Sequence, residues 1–266
     1  MSVLQRNNVT IFGTGQQAML FAHGFGCDQH MWRLVAPAFA NDYRVILFDH
    51  VGAGQSDPSA YTRTKYSTLD GYADDVLAIC SALEVRDGIF VGHSVAAMIG
   101  ILAAIREPER FARLILIGPS PCYMNDQNYH GGFSRADIDS LLEFLDRNYL
   151  GWSSTMAPLI MGNPDRPELG EELTNSFCRA APEITKQFAR VTFLSDNRAD
   201  LPKLRTPALI LQCSQDAIAP ETVGAYMHRS LPQSELVVMQ ATGHCPNLSA
   251  PEETIAAMKS FLSGTP

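Results

Sequence analysis

Apolar residues along this chain come in two alternating textures. Short unbroken runs occur at 18–22 ("AMLFA"), 44–49 ("RVILFD"), 88–92 ("GIFVG"), 113–118 ("RLILIG"), 208–213 ("ALILQC") and 236–240 ("LVVMQ"). Runs of this length without polar alternation predict strands covered on both faces, as in a parallel sheet. The stretch "NVTIFGTG" near the N-terminus alternates more and predicts an outer antiparallel strand. Between the runs, apolar residues recur at helical spacing. Leu69, Tyr72, Val76, Ile79, Cys80 and Leu83 share one face, as do Ile255, Met258, Phe261 and Leu262. Residues 95–105 are nearly all apolar, too few to cross a bilayer and suited to a fully buried helix. Strand and helix in alternation imply an α/β architecture with a mostly parallel sheet and right-handed crossovers.

The segment 126–199 breaks this rhythm. It lacks a buried strand and carries helical stripes instead. Ser134 is placed as an N-cap before Ile138, Leu141, Leu142 and Leu145. A second stripe joins Trp152, Met156, Leu159 and Ile160; a third, Leu173 and Phe177; a fourth, Ile184, Phe188 and Val191. "NPDRPE" supplies turn chemistry between the second and third. The expected organisation is a core of residues 1–125 and 200–266, with 126–199 inserted as a four-helix lid.

Composition narrows the function class. At 266 residues and 46% hydrophobic, the chain can bury a sizeable core. A formal net charge of −8 without basic runs speaks against nucleic acid and anionic membrane as partners. Cys27, Cys80, Cys122, Cys178, Cys213 and Cys245 show no C-x-x-C spacing. They read as reduced core residues of a cytoplasmic protein, and no metal-ligand spacing appears, so neither a metal nor a cofactor is expected. The opening "MSVLQRNNVT" lacks the apolar stretch of a signal peptide.

The chemistry gathers around Gly92-His93-Ser94-Val95-Ala96, which ends one apolar run and opens the buried helix. This nearly spells G-x-S-x-G, the sharp strand-to-helix turn that exposes a nucleophilic serine. Ala96 stands where the second glycine belongs, adding one methyl at a close crossing. The plainer alternative for Ser94 is a helix N-cap. A nucleophilic serine needs a base, and a base needs an orienting acid. His244 follows the last strand and Asp216 the strand before it, both at the sheet edge expected for Ser94. Ser, Asp, His is the α/β-hydrolase order of the triad. The alternatives are a loop-capping aspartate and a core histidine. The oxyanion requires two backbone donors: Val95 N–H after the nucleophile, and Phe25 N–H in "HGFG" after the first buried strand. His23 is expected to brace that loop. "DHVGAGQSD" reads as a structural turn through Asp49, Gly52, Gly54 and Asp57, with no phosphate-loop lysine.

These residues resemble the α/β-hydrolase superfamily over the whole chain. More narrowly the sequence is similar to RsbQ-type bacterial stress-response regulators and to plant strigolactone and karrikin receptors. The similarity is carried by "FAHGFGCDQHMW", "RVILFDHVGAGQSD", "TLDGYADDV", "VGHSV", "GPSPCYMND", "GGF", "NYLGW", "FLSDNRADL", "LILQCSQDAIAP" and "GHCP". "GPSPCYMND" and "GHCP" favour the bacterial branch. The resemblance implies a compact pocket beneath a V-shaped four-helix cap. Phe25, Val95, Phe133, Trp152 and Phe193 would line it, although core packing alone would also explain Trp152 and Phe193. A small hydrophobic ester or lactone suits such a pocket. Two functions remain open: hydrolysis as an end in itself, or ligand sensing that signals to a partner, by resemblance a PAS-domain serine phosphatase. Haloalkane dehalogenation is disfavoured, because it needs a carboxylate where Ser94 stands.

Overall fold

The computed structural model describes residues 1–264; the last two residues of the expected core segment lie outside them. Seven strands form one sheet: β1 (Thr10–Phe12), β2 (Ala18–Ala22), β3 (Arg44–Phe48), β4 (Gly88–His93), β5 (Phe111–Ile117), β6 (Ala208–Gln215) and β7 (Ser234–Thr242). Their order is β1-β3-β2-β4-β5-β6-β7. All neighbours run parallel except β1, which pairs antiparallel with β3. The helices in chain order are α1 (Val3–Arg6), α2 (Asp70–Ala82), α3 (Val95–Arg106), α4 (Arg135–Arg147), α5 (Tyr149–Met161), α6 (Pro167–Arg179), α7 (Pro182–Phe193), α8 (Glu221–Ser230), α9 (Pro246–Ser249) and α10 (Pro251–Ser263).

Continuous apolar runs become central strands because both sheet faces are covered. Every residue of β2 and β4 is buried. Alternate residues feed two cores: Leu20, Ala22 and Phe90 pack with Val76 and Ile99 on one side, while Met19, Phe21 and Val91 pack with Trp32 and Met258 on the other. Ten consecutive residues of α3, Val95 to Ala104, are buried, as its apolar sequence predicts.

β7 departs from expectation. Its apolar run predicts cover on both faces, but it is the edge strand, and Val237 and Val238 are 36% and 50% exposed. Periodicity reads the local run and not its place in the sheet. Cys178 is likewise exposed, while the other five cysteines are buried and all six are free. The amphipathic helix α8 has no counterpart among the predicted elements, since only Val223, Gly224 and Met227 of it are buried.

Between β5 and β6 the chain forms α4 to α7. A reciprocal capping box of Ser134 and Asp137 starts α4, and Ile138, Leu141, Leu142 and Leu145 are its buried face. In α5 the buried face is Trp152, Ala157, Ile160 and Met161. Leu159, placed by spacing in that stripe, is instead 54% exposed. α5 is apolar around most of its circumference, so spacing alone selects no single face. The insertion seats closely on the sheet edge. Gly26, at φ 72°, lies so near Phe177 of α6 that a Cβ there would sit 1.7 Å from its ring.

Candidate active site

The nucleophile candidate is held by a strained turn. β4 ends at His93 and α3 begins at Val95, leaving Ser94 at φ 57°, ψ −125°. A non-glycine residue keeps such a conformation only where its surroundings enforce it. The Ser94 amide donates to the Ile117 carbonyl at 2.8 Å. Strand and helix pass so closely that a Cβ on Gly92 would lie 2.6 Å from the Ala96 carbonyl oxygen. Ala96 itself is fully buried. Although Ser94 occupies the N-cap position, its hydroxyl caps no amide of α3.

That hydroxyl meets His244 instead. His244 follows β7 and its Nε2 lies 2.7 Å from Ser94 Oγ. On the other side of the ring, Nδ1–H donates to Asp216 Oδ2 at 2.6 Å. Asp216 follows β6, and its Oδ1 accepts from the Ile218 and Ala219 amides at 2.8 and 3.0 Å. The aspartate therefore both caps its loop and holds the histidine. With Nδ1 carrying a proton toward the carboxylate, Nε2 is free to accept from Ser94. All three residues are buried, so these contacts form away from bulk solvent.

The histidine backbone is also tied at both ends. Its amide donates to Ile160 of α5 at 2.8 Å, and its carbonyl accepts from His93 Nε2–H at 2.7 Å. Burial first, and then neighbouring His244, pushes the His93 pKa down to about 3, so His93 stays neutral. His23 braces the loop after β2: Nδ1–H donates to the Gly24 carbonyl at 2.9 Å, and Nε2 accepts from the His50 amide at 3.0 Å. Gly24 runs tightly against the serine turn; a Cβ there would lie 2.5 Å from His93 Nδ1. Val95 is the first residue of α3, where an amide has no acceptor within its own helix. Phe25 follows Gly24 and lines the same cavity as Ser94.

That cavity is small, about 30 Å³, room for about two waters. Phe25, Leu173, Phe177, Phe193 and Ile218 supply apolar walls around Ser94 and His244. Of the four predicted pocket aromatics, Phe25 and Phe193 reach the cavity; Val95, also expected to line it, does not. Trp152 stands behind it, edge-on to Phe25 and Phe177 with centroids 6.0 and 5.2 Å away. Phe133 packs on Phe193 at 6.2 Å. Sequence reasoning passed over Tyr123 and Thr192, which also line the cavity. Tyr123 sits within "GPSPCYMND", whose similarity to known hydrolases was its only signal. Among the described residues no cluster of three or more His, Cys, Asp or Glu is placed to hold a metal ion. No described helix is long and apolar enough to cross a membrane.

Known proteins resemble this chain from end to end. The karrikin insensitive 2 receptor CA of Petunia hybrida is 39% identical over 257 residues, 96% of this chain and 95% of its own. The strigolactone esterase RMS3 of Pisum sativum is 40% identical over 263 residues, 98% of each chain. A solved hydrolase from Oleispira antarctica is 42% identical and superposes with a TM-score of 0.96 over 99% of this chain and 97% of its own. Residues 19–257 match the alpha/beta hydrolase family, and the chain belongs to it.

Proposed function

We propose that this protein hydrolyses a small hydrophobic ester or lactone through an acyl-enzyme on Ser94. The observation that carries the reading is the relay from Ser94 Oγ through the His244 ring to the Asp216 carboxylate, at 2.7 and 2.6 Å. His244 takes the serine proton as Oγ attacks the carbonyl. Asp216 keeps the ring oriented and stabilises the imidazolium. Val95 and Phe25 amides hold the oxyanion. His244 then protonates the leaving oxygen, and water repeats the sequence to free the acid. Apolar walls restrict the substrate to a compact, largely hydrophobic acyl group.

The experiment compares Ser94→Ala with the parent protein on an aryl ester such as p-nitrophenyl acetate. Turnover is expected to vanish, and intact mass after rapid quenching should show an acyl adduct on the parent alone. Undiminished hydrolysis by the variant would remove Ser94 from the mechanism.

A second reading draws on the tightness of the cavity and on relatives named as receptors. Here slow hydrolysis serves ligand sensing in an RsbQ-like stress-response role. Repacking of α4 to α7 around the bound or acyl state would then be read by a partner such as a PAS-domain serine phosphatase. Turnover far below the usual enzyme range of about 1–10³ s⁻¹, together with a ligand-dependent change in proteolysis of α4 to α7, would favour sensing. Fast turnover with unchanged proteolysis would favour simple hydrolysis.

A further inference from the structure

Two hydroxyls in the cavity lining lack a well-aligned protein partner. Tyr123, in the loop after β5, and Thr192, on α7, are each 1% exposed, and neither hydroxyl has a partner in good hydrogen-bond geometry, the Tyr123 phenol standing beside the Ser94 hydroxyl. Both residues border the cavity that holds Ser94. The Tyr61 and Tyr72 hydroxyls also lack partners, but they lie in a tyrosine cluster with Tyr66 outside this cavity, and several comparable groups elsewhere are paired. Thr174, Thr185 and Thr254 each donate to the carbonyl four residues earlier at 2.9 Å. Thr192 lies in the same helix as Thr185 and forgoes that bond. Tyr129 and Tyr149 donate to the Cys122 and Phe177 carbonyls at 2.7 and 2.6 Å, whereas Tyr123 donates to none. The remaining partnerless atom of the lining residues, His93 Nδ1, is pressed against Gly24.

A buried hydroxyl with no partner destabilises a fold by about 1–3 kcal/mol, and native proteins keep few of them. Burial, the larger influence, raises the Tyr123 phenol pKa above its usual range, with the adjacent Ser94 hydroxyl acting in the opposite sense. The phenol is therefore an O–H donor throughout the neutral range. We propose that the Tyr123 and Thr192 hydroxyls form a polar subsite that binds a substrate oxygen other than the scissile carbonyl. The substrate class becomes a small ester or lactone with a second acceptor in its acyl part: an ether, a ring oxygen or a further carbonyl. An all-carbon acyl group would leave both donors unpaired, and sites built to hydrogen-bond a group discriminate against analogues that lack it. This inference rests on Ser94 being the nucleophile.

The test uses ester pairs that exchange one methylene for oxygen: p-nitrophenyl butanoate with methoxyacetate, and pentanoate with 3-methoxypropanoate. Each pair is measured on the parent protein, Tyr123→Phe and Thr192→Val. The inductive effect of the oxygen cancels, because the same pair is read on every protein. The oxygen-to-methylene ratio of kcat/KM should fall about three- to ten-fold in at least one variant, the worth of one neutral hydrogen bond. Melting temperatures should hold or rise, since each change removes an unpaired buried hydroxyl. Flat ratios in both variants for both pairs would overturn the subsite, as would a marked fall in melting temperature, which would assign the hydroxyls to the fold. Labelling by a fluorophosphonate separates the two levels. If Ser94 labels while ratios stay flat, the subsite alone fails; if Ser94 of the parent does not label, the hydrolase reading fails beneath it.

Discussion

The carboxyl edge of the sheet and the four-helix insertion both border Ser94, but they hold their side chains by different means. At the sheet edge, hydrogen bonds fix every functional group. Asp216 accepts three, and His244 is tied through its amide, its carbonyl and both ring nitrogens. In the insertion, rings hold rings. Phe177 and Trp152 lie 5.2 Å apart, Phe25 touches Trp152, Phe177, Phe188 and Phe193, and the Trp152 indole N–H has no partner. Hydrogen bonds impose direction and fail steeply when bent. Aromatic contacts tolerate a range of tilts at similar energy. The candidate catalytic groups are therefore held to tight geometry, while the roof over the cavity of about 30 Å³ is held by contacts that tolerate a range of tilts.

The strongest test of the hydrogen-bonded side is Asp216→Asn. The amide preserves shape but can present N–H to the ring and favour the tautomer whose Nε2 carries the proton, which cannot accept from Ser94. The corresponding change in a characterised serine triad lowers kcat by about 10⁴, and the proposed mechanism predicts the same order here on an aryl ester. Circular dichroism and the melting curve should change little. A loss below about ten-fold would mean that Asp216 does not control the His244 tautomer.

Trp152→Ala probes the other side. Removing a fully buried indole from a ring cluster should destabilise the protein by about 3–5 kcal/mol, read from urea denaturation. Because Trp152 stands behind the cavity wall, kcat at saturating substrate should fall far less than with Asp216→Asn, and KM should move more. If kcat fell as far as in the aspartate variant, the division between rigid chemistry and adaptable roof would be wrong.

The same division governs how much the sequence disclosed. Ser94, Asp216 and His244 each follow a strand, and the apolar runs located those strand ends within a few residues. β2 begins and ends where its run does, and α4 begins at its capping signal. The roof was legible only as stripes. Which ring faces the cavity depends on how helices tilt against one another, and α5 is apolar on too many sides for spacing to choose. Hence Trp152 fell behind the wall, Leu159 turned outward, and Tyr123 and Thr192 went unnoticed. A partnerless hydroxyl is defined by what surrounds it in space, and nothing in its sequence neighbourhood records that. The edge position of β7 was hidden for a related reason, since strand order is a property of the whole sheet.

A smaller effect tests whether hydrogen bonding at the sheet edge makes that region sensitive to acid. His93 and His50 are fully buried and neutral, the first with its pKa near 3 and the second well below the usual histidine value, burial being the main cause in both. His244 and His23 are the titratable neighbours that add to the depression. In the unfolded chain each would titrate near 6.5. Above that value neither state binds a proton there, and stability is full. Below it the unfolded chain gains protons that the fold refuses, so stability drops as pH falls toward 3. Each histidine should account for about 1–2 kcal/mol of the loss between pH 7.5 and 5. Urea midpoints at the two pH values supply the measurement, on the parent and on His93→Asn, whose amide can still reach toward the His244 carbonyl. The variant is expected to lose about 1–2 kcal/mol less between the two pH values, whatever its stability at pH 7.5. An unchanged difference would show that His93 takes up its proton within the fold, at Nδ1, with Nε2–H still donating to the His244 carbonyl.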